Sequence, residues 1–188
     1  MKLSDGERLI LIMLSEIHEK LKIENGVDTA LVKSAIYHGN LWALERQFVG
    51  IFHKYEARPE VVSEAVEILD MWRFIETSYR NASVEGKAKI KTEAAPFGEK
   101  VRFRGFDGNG ESEYISVASC MIDDLDQFEL FKGRDMNSHL PSLDMHRRML
   151  AVFKPMRTSA DLTISELIKV LKEQMHPENR KAVGASRI

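Results

Sequence analysis

The stretch Val101–Leu125, VRFRGFDGNGESEYISVASCMIDDL, decides how the rest of the chain is read. Val101 and Phe103 alternate with Arg102 and Arg104, the pattern of an extended piece with one apolar face. Gly105–Gly110 reads as a glycine-rich elbow, after which the period changes to that of a helix. Asn109 is the predicted N-cap, with Glu111 and Glu113 near the positive end of the helix. Tyr114, Ile115, Val117, Ala118, Met121, Ile122 and Leu125 mark its predicted buried side, and Cys120 is expected there as a small buried hydrophobe.

On the N-terminal side the sequence reads as a group of helices. Ser4 and Glu7 have the spacing of a capping box, and Leu9, Ile10, Met13, Leu14, Ile17 and Leu21 follow at helical spacing. Asp28 caps a second predicted helix to about His38, and Leu41 to Phe52 reads as a third. Pro59 suits the first position of a fourth, which runs to about Tyr79. Its apolar arc is wide, as in a helix contacted from several directions. Residues 82–99 break the pattern, with small residues, alternating lysines, Pro96 and Gly98. They read as a linker or insertion ahead of a weak hairpin.

On the C-terminal side, Ser142 after Pro141 is the predicted cap of a helix carrying Met145, Met149, Val152 and Phe153. Thr163 and Glu166 form a second capping box, opening a helix to about Met175. The fold expected is mainly α: one compact multi-helix domain over 1–188, with at most a short extended segment or hairpin near 87–106. Its N-terminal helical half is 1–81, its C-terminal half 100–176, and 177–188 is a frayed tail.

The 188 residues are 44% hydrophobic and 30% charged, ordinary values for a folded protein that needs no metal or disulfide. The single cysteine points to a reducing, cytoplasmic setting. A formal charge of -2 supplies no global attraction for nucleic acid or an anionic membrane. The apolar run Leu9–Leu14 is far shorter than the ~20 residues of a membrane span.

Asp107, Asn109 and Glu111 fill the first positions of a calcium loop, but Ser112 and Ala118 stand where its glycine and bidentate glutamate belong. The elbow matches no phosphate-binding motif, and its glutamates would repel an anion. The six histidines lack metal-ligand spacing, and no serine sits in a nucleophile elbow. Hence no catalytic residue, metal or cofactor is assigned. Lys87, Lys89, Lys91, Lys100, Arg102 and Arg104 interleave with phenylalanines in a weak nucleic-acid pattern. A solvated edge explains that pattern equally well. Trp42, Glu45 and Arg46 are a candidate partner-binding or pocket-lining face, and Asp107, Asn109, Arg147 and Arg148 are further candidate contacts.

Several stretches together resemble the YfbU family of bacterial proteins: SDGERLILIMLSEI (4–17), YHGNLWALERQF (37–48), VRFRGFDGNGESEYISVASCMI (101–122), LPSLDMHRRMLAVFKPM (140–156) and LTISELIKVL (162–171). The resemblance covers most of the chain, with 87–96 looking like an insertion. It implies a mainly helical cytoplasmic protein that tends to form oligomers, and it supplies no mechanism.

The leading expectation is a non-enzymatic assembly or regulatory protein acting through protein contacts, with homo-oligomerisation and no membrane partner. The alternatives are an enzyme or small-ligand binder with a pocket near the 105–113 elbow, and nucleic-acid binding through 87–104. Trp72, Met71, Met149 and Arg148 are of the types expected at the centre of an interface.

Overall fold

The computed structural model describes residues 1–52, 56–157 and 161–179. It is all-helical among these residues, with one isolated bridge, Phe106 to Asn137, in place of any sheet. The chain forms two compact units that part between Glu56 and Ala57, rather than within 82–99.

The first unit holds α1 (Asp5–Lys20), α2 (Thr29–Tyr37) and α3 (Leu41–Gln47). The Ser4–Glu7 capping box closes α1, and Asp28 accepts from the Leu31 amide to cap α2. The third helix stops five residues before the expected Phe52, since Phe48 leaves helical geometry. Val32, Ala35, Ile36 and Leu44 form a small core, against which α1 lays Leu11 and Ile12. Ser15 is the buried residue of α1, its hydroxyl donating to the Leu11 carbonyl at 2.7 Å. The expected apolar stripe of α1 therefore points the other way. Leu9, Ile10, Met13, Leu14, Ile17 and Leu21 are between 51% and 67% exposed.

The second unit is built on α4 (Pro59–Asn81), whose wide apolar arc is buried as its pattern implied. Around it stand α5 (Val84–Glu93), α6 (Ser112–Ser119), α7 (Leu143–Phe153) and α8 (Ile164–Lys172). Trp72, Phe103, Phe106, Phe131 and Phe153 are the largest of its fully buried side chains. Trp72, Met71 and Met149 are thus core and cannot serve an interface, while Arg148 is half-buried and donates to the Glu173 carbonyl.

The supposed linker at 82–99 is helical over Val84–Glu93. Ser83 caps it by accepting from the Gly86 amide at 3.1 Å, and Ile90 and Ala94 are its buried anchors. Gly86 lets α8 approach, because a Cβ there would stand 3.0 Å from Ile164. The lysines that alternate in sequence wind around this helix. Lys89 pairs with Glu93 one turn on, and Lys87 lies over the Tyr79 ring.

Val101–Phe106 is extended without a partner strand. Its Phe106 amide donates to the Met136 carbonyl at 2.9 Å, and Ser138 donates back to Phe106 at 2.8 Å. Gly105 has φ +87°, and a Cβ there would fall 1.9 Å from the Met136 carbonyl oxygen, so the elbow needs glycine. After α6 the chain takes a π turn, Cys120–Asp124. Cys120 is exposed rather than buried, since two residues past buried Ala118 it lies across the helix. Leu125 is exposed beyond the end of that turn. Of the expected frayed tail, residues 180–188 lie outside the described residues.

Candidate functional site

The elbow gathers the most polar chemistry in the second unit. Asn109 does not cap α6; Glu111 occupies that position and turns its carboxylate inward. There it accepts from the amides of Asp107, Ser142 and Leu143 at 2.8, 2.8 and 2.7 Å, and from the Ser142 hydroxyl at 2.7 Å. Glu111 therefore caps α7 from 31 residues away, the role expected of the Ser142 side chain. Burial pushes its carboxyl up, but these donors outweigh burial and hold it below the ordinary range. Asp107 is also buried, accepting from the Asn109 amide at 3.3 Å, whereas Asn109 is exposed.

His146 lies beneath the elbow. Its Nδ1 accepts from the Trp72 indole at 3.1 Å, and its Nε2 donates to the Gly105 carbonyl at 3.1 Å. This pairing fixes a neutral imidazole protonated on Nε2. Burial pushes it down to about 4, against the opposing pull of the Gly105 carbonyl and Glu111. Ser142, Glu111 and His146 are neighbours, yet they do not form a charge relay. The serine proton goes to Glu111, and the basic nitrogen of His146 is taken by Trp72.

Another buried carboxylate, Glu76 on α4, accepts from the Phe103 amide at 2.7 Å and pairs with Arg134 at 2.8 and 2.9 Å. It fastens the extended piece to the central helix. Neither Glu76 nor Arg134 is evident as a site residue from local pattern. The available signal is an acid one turn after Trp72, inside an apolar arc.

Arg147 projects from α7 and grips Glu64 with two bonds, 2.7 and 2.9 Å, and Tyr114 donates to the same carboxylate. Arg147 holds Glu64 below the usual carboxylate range. In the first unit, Trp42 is 63% exposed and Arg46 is exposed, whereas Glu45 meets the amino group of Met1. Beside them an apolar groove of about 440 Å³ is lined by Leu3, Ile10, Leu11, Val27, Phe48 and Phe52, among others.

The basic segment divides into two groups. Lys87 donates to the Arg80 carbonyl, while Lys89 and Lys91 face Glu93 and Glu99 at 3.8 and 3.4 Å. Lys100, Arg102 and Arg104 instead border open clefts. Among the described residues, no group of three or more His, Cys, Asp or Glu is placed to hold a metal.

A family model for the YfbU domain matches residues 1–173. The chain belongs to the YfbU family. It is also similar to the UPF0304 protein MJECS11 of Methanocaldococcus jannaschii, 32% identical over 75 residues, a match covering 37% of this chain and 45% of that relative. This YfbU chain thus matches under half the length of that relative. Its elbow, the most distinctive stretch of the YfbU sequence here, is a satisfied structural joint. Among the described residues, the outward apolar side chains of α1 and the cations of Lys100–Arg104 are two groups left without work inside the fold.

Proposed function

We propose that this YfbU protein is a non-enzymatic, cytoplasmic bacterial assembly protein, and that it forms a homo-oligomer through α1. The observation that carries this reading is the exposed stripe Leu9, Ile10, Met13, Leu14, Ile17 and Leu21. A contiguous apolar face of this kind is rare on a solitary soluble protein and marks a contact surface. Ile10 also lines the apolar groove of the first unit, so stripe and groove are continuous.

The occupant that fits is a second copy of the helix. Asp5 and Glu7 lie in the first turn of α1, and His18 and Lys20 in the last. An antiparallel pairing about a two-fold axis lets the two stripes meet with the helix dipoles opposed. The 16-residue helix spans about 24 Å, enough to seed an interface to which the groove adds area. Among the described residues no helix is long and apolar enough to cross a membrane, so the stripe is not a span.

Light scattering at micromolar concentration tests the reading. The wild-type chain is expected to exceed the 21.5 kDa monomer, and Leu14→Glu with Ile17→Glu is expected to return to it without loss of helix. A wild-type mass of 21.5 kDa throughout that range would overturn the proposal.

A further inference from the structure

Of the arginines in the second unit, Arg58, Arg73, Arg134, Arg147 and Arg157 each face a carboxylate. Arg102 and Arg104 have no ion-pair or hydrogen-bond partner among the described residues, and neither does Lys100. All three are exposed, and they alternate along extended backbone, so their Cα atoms stand about 6.6 Å apart on one side of the segment. The backbone beneath them is fixed. Phe103, between the two arginines, and Phe106, two residues after them, are buried, the Phe103 amide donates to Glu76, and the Gly105 carbonyl accepts from His146.

This ridge separates two clefts. One, of about 380 Å³, has Pro96, Phe97 and Met145 as apolar wall and Gln174 as a polar group. Glu99 also lines it, with its charge answered by Lys91 at 3.4 Å. The other, of about 310 Å³, is lined by Asp135, Asn137 and Ser138. Both volumes are in the range of small-ligand pockets. The combination has a definite chemistry. Guanidinium groups on a fixed backbone recognise phosphate oxygens, an apolar wall with an aromatic recognises a flat ring, and a side-chain amide recognises sugar hydroxyls.

We propose that the Lys100–Arg104 ridge is a binding site for a nucleoside phosphate. The phosphates lie along Lys100, Arg102 and Arg104, and the nucleoside occupies the cleft of Pro96, Phe97 and Met145, with its ribose between that apolar wall and the cations and toward Gln174. This site uses residues of the second unit alone and does not depend on the oligomer.

Calorimetric titration of the full chain with ADP, adenosine, pyrophosphate and a short single-stranded oligonucleotide tests it. ADP is expected to bind at one site per chain, with adenosine and pyrophosphate each at least tenfold weaker. Arg102→Gln with Arg104→Gln is expected to weaken ADP at least tenfold, and these exposed substitutions should leave the thermal midpoint unchanged. Phe97→Ala is expected to weaken ADP several-fold and leave pyrophosphate alone. No saturable ADP binding, or ADP binding unaltered in the double arginine variant, overturns the site. Pyrophosphate as tight as ADP overturns the base-binding wall. An oligonucleotide that displaces ADP, binds more tightly and is lost in the same double variant makes the occupant a strand and overturns the small-ligand assignment.

Discussion

The first helix of the chain and the elbow of the second unit use their side chains in opposite ways. At the elbow, charged and polar residues that look available in the sequence are turned inward and paired. Glu111 has four donors, and His146 has a partner on each ring nitrogen. On α1, leucines and isoleucines that look like core are turned outward. Buried polar groups that are fully satisfied specify a joint and leave nothing to bind with. Apolar groups left in water carry a standing free-energy gain for any surface that covers them, roughly 25 cal/mol per Å². The contrast is the reason the proposed contact surface is placed on the plain amphipathic helix and not at Glu111 and His146.

The largest effect that could break this contrast is at Glu111. Glu111→Ala leaves three amides and a hydroxyl without their acceptor inside the fold. The expected loss is about 3–5 kcal/mol, a large share of a typical domain's stability. Urea unfolding followed by far-UV circular dichroism checks it. A loss below about 1 kcal/mol would mean that the elbow is not a joint.

A somewhat smaller effect should appear as pH dependence. His146 is held at about 4 in the fold, against an unfolded value near 6.5. Below 6.5 the unfolded chain takes up a proton that the folded chain refuses, so stability falls as pH falls, until the folded imidazole also protonates near 4. The total is on the order of 3 kcal/mol. Glu111, whose carboxyl is held low, adds a further loss below the ordinary carboxylate value and so in a separate, more acidic window. His146→Gln can keep a donor and an acceptor but cannot titrate. It should flatten the stability profile between pH 6.5 and 4 and leave the acidic limb. An unchanged slope would place the titration elsewhere.

These two residues also mark what was legible in the sequence. The capping boxes Ser4–Glu7 and Thr163–Glu166 and the N-terminal proline of α4 depend on neighbours a few residues away, and each appears where its pattern put it. Glu111 caps a helix 31 residues on, and Glu76 is bonded to groups 27 and 58 residues on. No local spacing encodes such partners. The helix over Val84–Glu93 was hidden for another reason: it has one large apolar anchor, Ile90, and is held by the close approach that Gly86 permits to α8. The direction of α1 was not legible either. Its periodicity marks one stripe, Leu9 to Leu21, whereas Leu11, Ile12 and Ser15 are the residues turned to the core.

A minor effect is expected between the two extremes, at Arg147. Its bonds to Glu64 are well formed, but the arginine side chain is half exposed. A double-mutant cycle on Arg147→Ala and Glu64→Ala should return a coupling of no more than about 1 kcal/mol. A coupling several times larger would make this pair part of the buried frame and move it to the elbow's side of the comparison.

The smallest expected effect lies on α1, and it discriminates best. Leu14 and Ile17 are exposed, whereas Leu44 of the same unit is buried. In dilute solution, where subunits are apart, Leu14→Gln or Ile17→Gln should change unfolding by no more than about 0.5 kcal/mol. Leu44→Ala should cost about 2–5 kcal/mol, since it opens a cavity that the surroundings only partly close. At higher concentration the wild-type midpoint should rise, because association stabilises only the folded chain, and the α1 variants should lose that rise. The test therefore needs both concentrations. If Leu14→Gln costs as much as Leu44→Ala in dilute solution, the stripe is already covered within a single chain, and the contrast between an inward-turned elbow and an outward-turned helix fails at α1.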